Sequence, residues 1–122
     1  MRDGAFARGD VLPHLTLEDR TGAPFSYRTI WQQRNLLLVV VGDDPAGERY
    51  ALDVQAAAPD IAAREAVVVV TRTPVPGLSV PGVLVVDRWA RVIHAAHAAT
   101  VDDLPPVHDL VAWLDYVQMR CG

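Results

Sequence analysis

An α/β sandwich is what the sequence predicts, and three observations carry the prediction. The run Leu36-Leu37-Leu38-Val39-Val40-Val41 is apolar at every position, which implies burial on both faces, as in the inner strand of a covered sheet. A second continuous apolar run, residues 67–70, follows after one helix length. Two such strands separated by a helix form a parallel pair with a crossover. Finally, Val107, Leu110, Val111, Leu114 and Val117 recur at helical spacing, giving a helix with one apolar face that needs a sheet to cover.

The elements follow in order. Residues 1–12 are rich in glycine and charge without periodicity, and are expected to be a loosely held arm of one domain spanning 1–122. Leu15-Thr16-Leu17-Glu18 alternates, Asp19-Arg20-Thr21-Gly22 supplies turn chemistry, and Pro24 to Tyr27 reads as the return strand of a hairpin. A short helical turn near Thr29 to Gln33 precedes the central strand at 36–41. Asp43 or Asp44 then caps a helix with Pro45 at its first position, where a missing N–H costs nothing. That helix runs through Tyr50, Leu52 and Val54 to about Ala58, and Pro59 breaks or restarts it. Residues 83–86 and 91–94 flank Asp87-Arg88-Trp89-Ala90 as a hairpin, and Pro105-Pro106 opens the last helix.

Composition excludes several classes of function. Of the 122 residues 51% are hydrophobic, yet no apolar stretch is long enough to span a membrane. The net charge is −4, and all eleven basic residues are arginines scattered singly, so the basic patch that nucleic-acid binding requires is missing. The start, Met1-Arg2-Asp3-Gly4-Ala5-Phe6-Ala7-Arg8, lacks the apolar core of a signal peptide. With a single cysteine, Cys121, no internal disulfide can form. Both features favour the cytoplasm.

Three segments resemble one known family. Gly9-Asp10-Val11-Leu12-Pro13-His14-Leu15-Thr16-Leu17 looks like the opening of the redoxins. Val80-Pro81-Gly82-Val83-Leu84-Val85-Val86-Asp87 looks like the cis-proline strand of thioredoxin-like proteins. Asp103-Leu104-Pro105-Pro106 to Trp113-Leu114-Asp115-Tyr116-Val117 looks like the terminal helix of small peroxiredoxin-like proteins. The resemblance implies a thioredoxin-like three-layer α/β/α sandwich with a mixed central sheet, an N-terminal β-hairpin and a cis Val80-Pro81 bond. It also implies where the chemistry would sit. Gly42-Asp43-Asp44-Pro45-Ala46-Gly47-Glu48-Arg49-Tyr50 resembles the loop and helix start that carry the catalytic cysteines, and Pro45 and Glu48 stand in the two cysteine positions. The thiolate is the nucleophile of thiol–disulfide exchange and of peroxide reduction. Ala90 stands where the family's turn has glycine, so the turn must avoid a left-handed conformation or bear about 1 kcal/mol of strain.

Other candidates have simpler readings. Asp43 and Asp44 have the chemistry of metal ligands or acid–base groups, but no second acidic cluster completes such a site, and helix capping accounts for both. His94-Ala95-Ala96-His97 has the look of a ligand pair, with His108 further on. Residues three apart on a strand point to opposite faces, so a shared metal requires the strand to end between them. Cys121 follows the last helix, whose negative end disfavours the thiolate. Trp113 is expected in the core, and Trp89 lies at a turn.

The expected function is therefore a non-catalytic binding or scaffold domain without cofactor or metal. Its groove would be formed by Asp43, Asp44, Pro45, Ala46, Gly47 and Glu48 facing Ser79, Val80 and Pro81. The backbone at Ser79 and Val80 would pair with an extended peptide. The three acidic residues would favour a basic or neutral one. The expected partner is a protein or peptide, or a second copy in a homodimer, and neither nucleic acid nor membrane. Three readings compete with this one: a groove that is vestigial or covered by the N-terminal arm, a redox protein acting through Cys121 or a partner's thiol, and, weakest, a hydrolase or metal enzyme built on Asp43, Asp44 and the histidines.

Overall fold

A computed structural model of the chain describes residues 4–121, with the Cys121 side chain outside the described part. Its elements are β1 (Thr16–Glu18), β2 (Pro24–Ser26), β3 (Asn35–Val40), α1 (Pro45–Ala56), α2 (Ala58–Ala62), β4 (Ala66–Thr71), β5 (Gly82–Val86), β6 (Val92–His97) and α3 (Val107–Cys121). Short 3-10 turns lie at Tyr27–Thr29 and Val101–Asp103.

The unbroken apolar run makes β3 the second strand of a four-stranded mixed sheet, in the order β4-β3-β5-β6. It pairs parallel with β4, Leu38 opposite Val69, and antiparallel with β5, Leu38 opposite Leu84. All six of its residues are buried, as burial on both faces requires. Side chains alternate across the sheet. Leu37, Val39 and Val41 join Tyr50, Val54, Ile61, Leu110, Leu114 and Val117 beneath the three helices. Leu36, Leu38 and Val40 join Leu12, Leu17, Tyr27 and Val75 on the opposite face. The helices thus form one outer layer. The hairpin β1–β2, the Tyr27 turn, the N-terminal arm and the loop after β4 form the other.

Several expectations are corrected in detail. The arm is not loosely held from Phe6 onward. The Phe6 N–H bonds to the Gly77 carbonyl (2.7 Å), those of Gly9 and Leu12 to Val92 and Ala90 (2.8 and 2.7 Å), and the Val92 N–H to Asp10 (2.8 Å). These bonds satisfy backbone groups on the flank of β6, which is why an aperiodic segment is ordered. The return strand stops at Ser26, because Tyr27 turns inward and is fully buried. The helical turn after it is a 3-10 one that starts earlier than expected, at Tyr27–Thr29, and it leaves through Gln32 at φ 69°. The last strand of the sheet runs to His97 rather than His94. Pro59 separates α1 from α2 as expected, since it lacks the N–H that would continue the ladder. Ala90 takes the left-handed conformation, φ 70°, and bears the strain. Asp87 supports that turn by accepting from the N–H groups of Trp89 and Arg91, both at 2.9 Å.

Candidate functional site

The loop after β3 and the first turn of α1 meet the loop before β5. Asp44 is the N-cap residue and Pro45 the first helical residue of α1. The capping expectation for Asp43 and Asp44 is corrected: the Asp44 side chain makes no cap hydrogen bond. Its carboxylate lines the cleft outside the helix, and Asp43 is exposed beside it. The first turn is closed by the backbone bond from the Glu48 N–H to the Asp44 carbonyl, 2.9 Å. Gly47 is buried where a Cβ would stand 2.4 Å from the Gly42 carbonyl oxygen, so only glycine lets α1 sit this close to β3. Further along α1, the Tyr50 hydroxyl donates to the Pro105 carbonyl (2.6 Å), and burial pushes its pKa up to about 12.

Glu48 does not join the cleft. Its carboxylate turns toward the sheet, one oxygen ion-paired with the Arg20 guanidinium and the other 3.5 Å from Arg72 Nη2. It is therefore a structural counter-charge, and it does not supply the acidic rim expected of it. Arg20 and Arg72 were missed in the sequence. They lie in the hairpin turn and just beyond β4, and only the folded arrangement brings them to α1.

On the other wall the Val80-Pro81 bond is cis, as the resemblance implied. Val80 is 48% exposed. Among the described residues neither its N–H nor its carbonyl takes a hydrogen bond. Ser79 is less available than expected: its N–H lies 3.4 Å from His97 Nδ1, and its hydroxyl donates to the Pro81 carbonyl (2.7 Å) and accepts from the Ala98 N–H (3.0 Å). Asp44, Ala46, Val80 and Pro81 line a cleft of about 320 Å³, closed on a third side by Thr100 and Asp102. Pro45, Gly47 and Ser79 flank it without lining it. The loop after β6, which supplies Thr100 and Asp102, was also missed, since nothing in its composition marks it. No described residue of the arm lines the cleft; Phe6 of the arm meets Gly77 and His97, whose Nε2 lies 2.9 Å from the Phe6 carbonyl.

Among the described residues no group of three metal-ligating side chains converges. His94 and His97 are both within β6 and on opposite faces: His94 stacks on Trp113 of α3, while His97 meets the arm. Trp113 is half-buried rather than a core residue, and Trp89 is exposed. Among the described residues no helix is long and apolar enough to cross a membrane.

No protein-family profile and no curated protein matches the sequence. Solved structures match the fold. Peroxidoxin BcpB from Mycobacterium tuberculosis is similar over 89% of this chain and 96% of its own, at 14% identity and a TM-score of 0.66. A thioredoxin-family thiol:disulfide interchange protein from Chlorobium tepidum is similar over 93% and 99%, at 13% identity and a TM-score of 0.67. The reduced 2-Cys peroxiredoxin of Plasmodium vivax covers 93% and 82%, at 13% identity and a TM-score of 0.70. The fold is therefore thioredoxin-like, the one these peroxiredoxins share with the thioredoxin-family protein. Within it, this chain carries proline and glutamate where the resemblance places the cysteines.

Proposed function

We propose that this chain is a non-catalytic thioredoxin-like domain that binds an extended peptide in the cleft between the start of α1 and Val80-Pro81. One observation supports this above the others. The Glu48 carboxylate, in a cysteine position, is tied to Arg20 and Arg72, while the cleft beside it remains open. No side chain there can form a sulfenate or a mixed disulfide. The unpaired N–H and carbonyl of Val80 offer one strand-like pairing position to a peptide. Asp44 and Asp102 are the charged residues of the lining, so a basic or neutral peptide fits better than an acidic one.

Thiol-peroxidase and insulin-reduction assays on the wild type and on Cys121→Ser are expected to give no turnover above a denatured control. Chemical-shift mapping with a peptide library is expected to move the amides of Asp44, Ala46 and Val80, and Val80→Asp to abolish the effect. Shifts clustered elsewhere, with binding intact in Val80→Asp, would overturn the reading. The second reading, a redox protein acting through Cys121 or a partner's thiol, draws on the fold shared with peroxiredoxins. Turnover that disappears in Cys121→Ser would establish it.

A further inference from the structure

A second cavity, of about 610 Å³, is distinct from the cleft beside α1 and shares no lining residue with it. It opens between β6 and α3, among Arg8, His94, Pro105, Asp109, Trp113 and Tyr116. How His94 comes to face it follows from the register of β6. Val85 stands opposite His94 and Val86 opposite Val92, so Ile93 is an extra residue in the strand. Such a bulge shifts the alternation and re-aims the side chains that follow. Val92 packs on the hairpin face, Ile93 and His94 both turn to the helix face, and Ala95 returns to the hairpin side. Without the bulge His94 would face away from α3.

The wall this creates is aromatic. The His94 and Trp113 rings stack nearly parallel, with centroids 4.4 Å apart and planes 11° apart, and Tyr116 meets Trp113 edge-on at 5.8 Å. The Arg8 guanidinium reaches in from the arm. It donates to the Tyr116 hydroxyl (2.6 Å) and lies 5.3 Å from the ring centroid, with the Arg120 guanidinium 5.8 Å from the same centroid. A guanidinium has five N–H donors. Arg8 uses one on a neutral phenol, and among the described residues no carboxylate pairs with it. Neither the ring nitrogens of His94 nor the Trp113 indole N–H are hydrogen-bonded to another described residue, and none of these atoms is sealed from solvent. Asp109, the acidic residue of the lining, has its carboxylate 3.2 Å from His108 Nε2. An apolar wall on which a few unused polar groups converge, in a space of several hundred Å³, is the usual anatomy of a small-molecule site.

We propose that this groove binds a small planar anion, an aromatic ring bearing a carboxylate. The ring extends the His94–Trp113 stack and the carboxylate takes the unused donors of Arg8. Two guanidinium groups gathered at Tyr116 disfavour a cation there. The proposal is independent of the peptide cleft, which is lined by other residues and can fail without affecting it.

The test is titration of the full chain with 2-naphthoate, and with neutral 2-naphthalenemethanol as control, followed by amide and indole N–H shifts. Saturable shifts are expected at the Trp113 indole and at the amides of His94, Trp113 and Tyr116. The alcohol, and naphthoate with Arg8→Gln, should bind about tenfold or more weakly, the range of a lost charge-assisted hydrogen bond. Both Arg8 and Ala112 are exposed, so Arg8→Gln and a second variant, Ala112→Glu, leave the core intact; Ala112→Glu should also weaken naphthoate. Equal affinity for acid and alcohol, indifference to Arg8→Gln, or shifts centred on Trp31, Trp89 or Val80 would overturn the proposal. So would shifts of the same amides on raising protein concentration without ligand, which would assign the groove to a second copy of the chain.

Discussion

Replacing Glu48 with glutamine isolates the feature that most separates this site from a thiol site. The substitution keeps the shape of the side chain and removes its charge, leaving the Arg20 guanidinium without its counter-ion. Arg20 is 15% exposed and Glu48 35%, so the pair lies between a surface and an interior ion pair. At about 4 Å and an effective dielectric near 20, the gross attraction is roughly 4 kcal/mol, before the opposing cost of desolvation. Exposed pairs contribute about 0–1 kcal/mol, and breaking a buried pair from one side costs about 3–5. Among the described residues, Arg20 already has one buried nitrogen, Nη1, without a partner, and Arg72 is half exposed and free to turn to water. We therefore expect Glu48→Gln to cost about 2 kcal/mol, read as a fall in Tm of about 8 °C for a domain of this size. Denaturant unfolding of the wild type, Glu48→Gln, Arg20→Met and the double variant closes the cycle. The double variant should lose less than the sum of the singles, because removing both charges leaves neither one buried alone. A loss below about 0.5 kcal/mol, or strictly additive singles, would refute the account of Glu48 as a structural counter-charge.

Two further outcomes follow from the same structure. Leu114 is fully buried between α3 and the sheet, so Leu114→Ala should cost about 2–5 kcal/mol in denaturant unfolding. An equally stable variant would mean that this face of α3 is not part of the core. Burial, and secondarily the Arg8 guanidinium, hold the His94 pKa below its ordinary 6.5. The unfolded chain therefore takes up the proton first, and the contribution of His94 to stability is intact above pH 6.5 and lost as the pH falls through the lower, folded-state value. His94→Gln should flatten the decline in Tm as the pH falls below 6.5, and an unchanged slope would refute this.

The order of elements, the two buried strands, the helical crossover and the lack of a thiol at the start of α1 were all legible from residue order alone. Each of these is written locally. A strand buried on both faces is apolar at every position, a helix repeats its apolar residues every three or four, and a missing cysteine is a fact of composition. The half-buried positions of α3 show the limit of such patterns: Val107 and Val111 belong to the apolar stripe, yet only Leu110, Leu114 and Val117 are fully buried.

What the charged and aromatic side chains do emerges from contacts made in the folded chain. Glu48 reads as an acidic rim residue until Arg20 and Arg72 arrive from other elements, 28 and 24 positions away. The aperiodic arm is ordered by backbone bonds to a strand about 80 residues later, and it brings Arg8 to Tyr116. The bulge at Ile93 exists only relative to its partner β5, and it alone turns His94 toward α3. Ion pairing and strand register are relations between segments distant in sequence, so no local pattern encodes them.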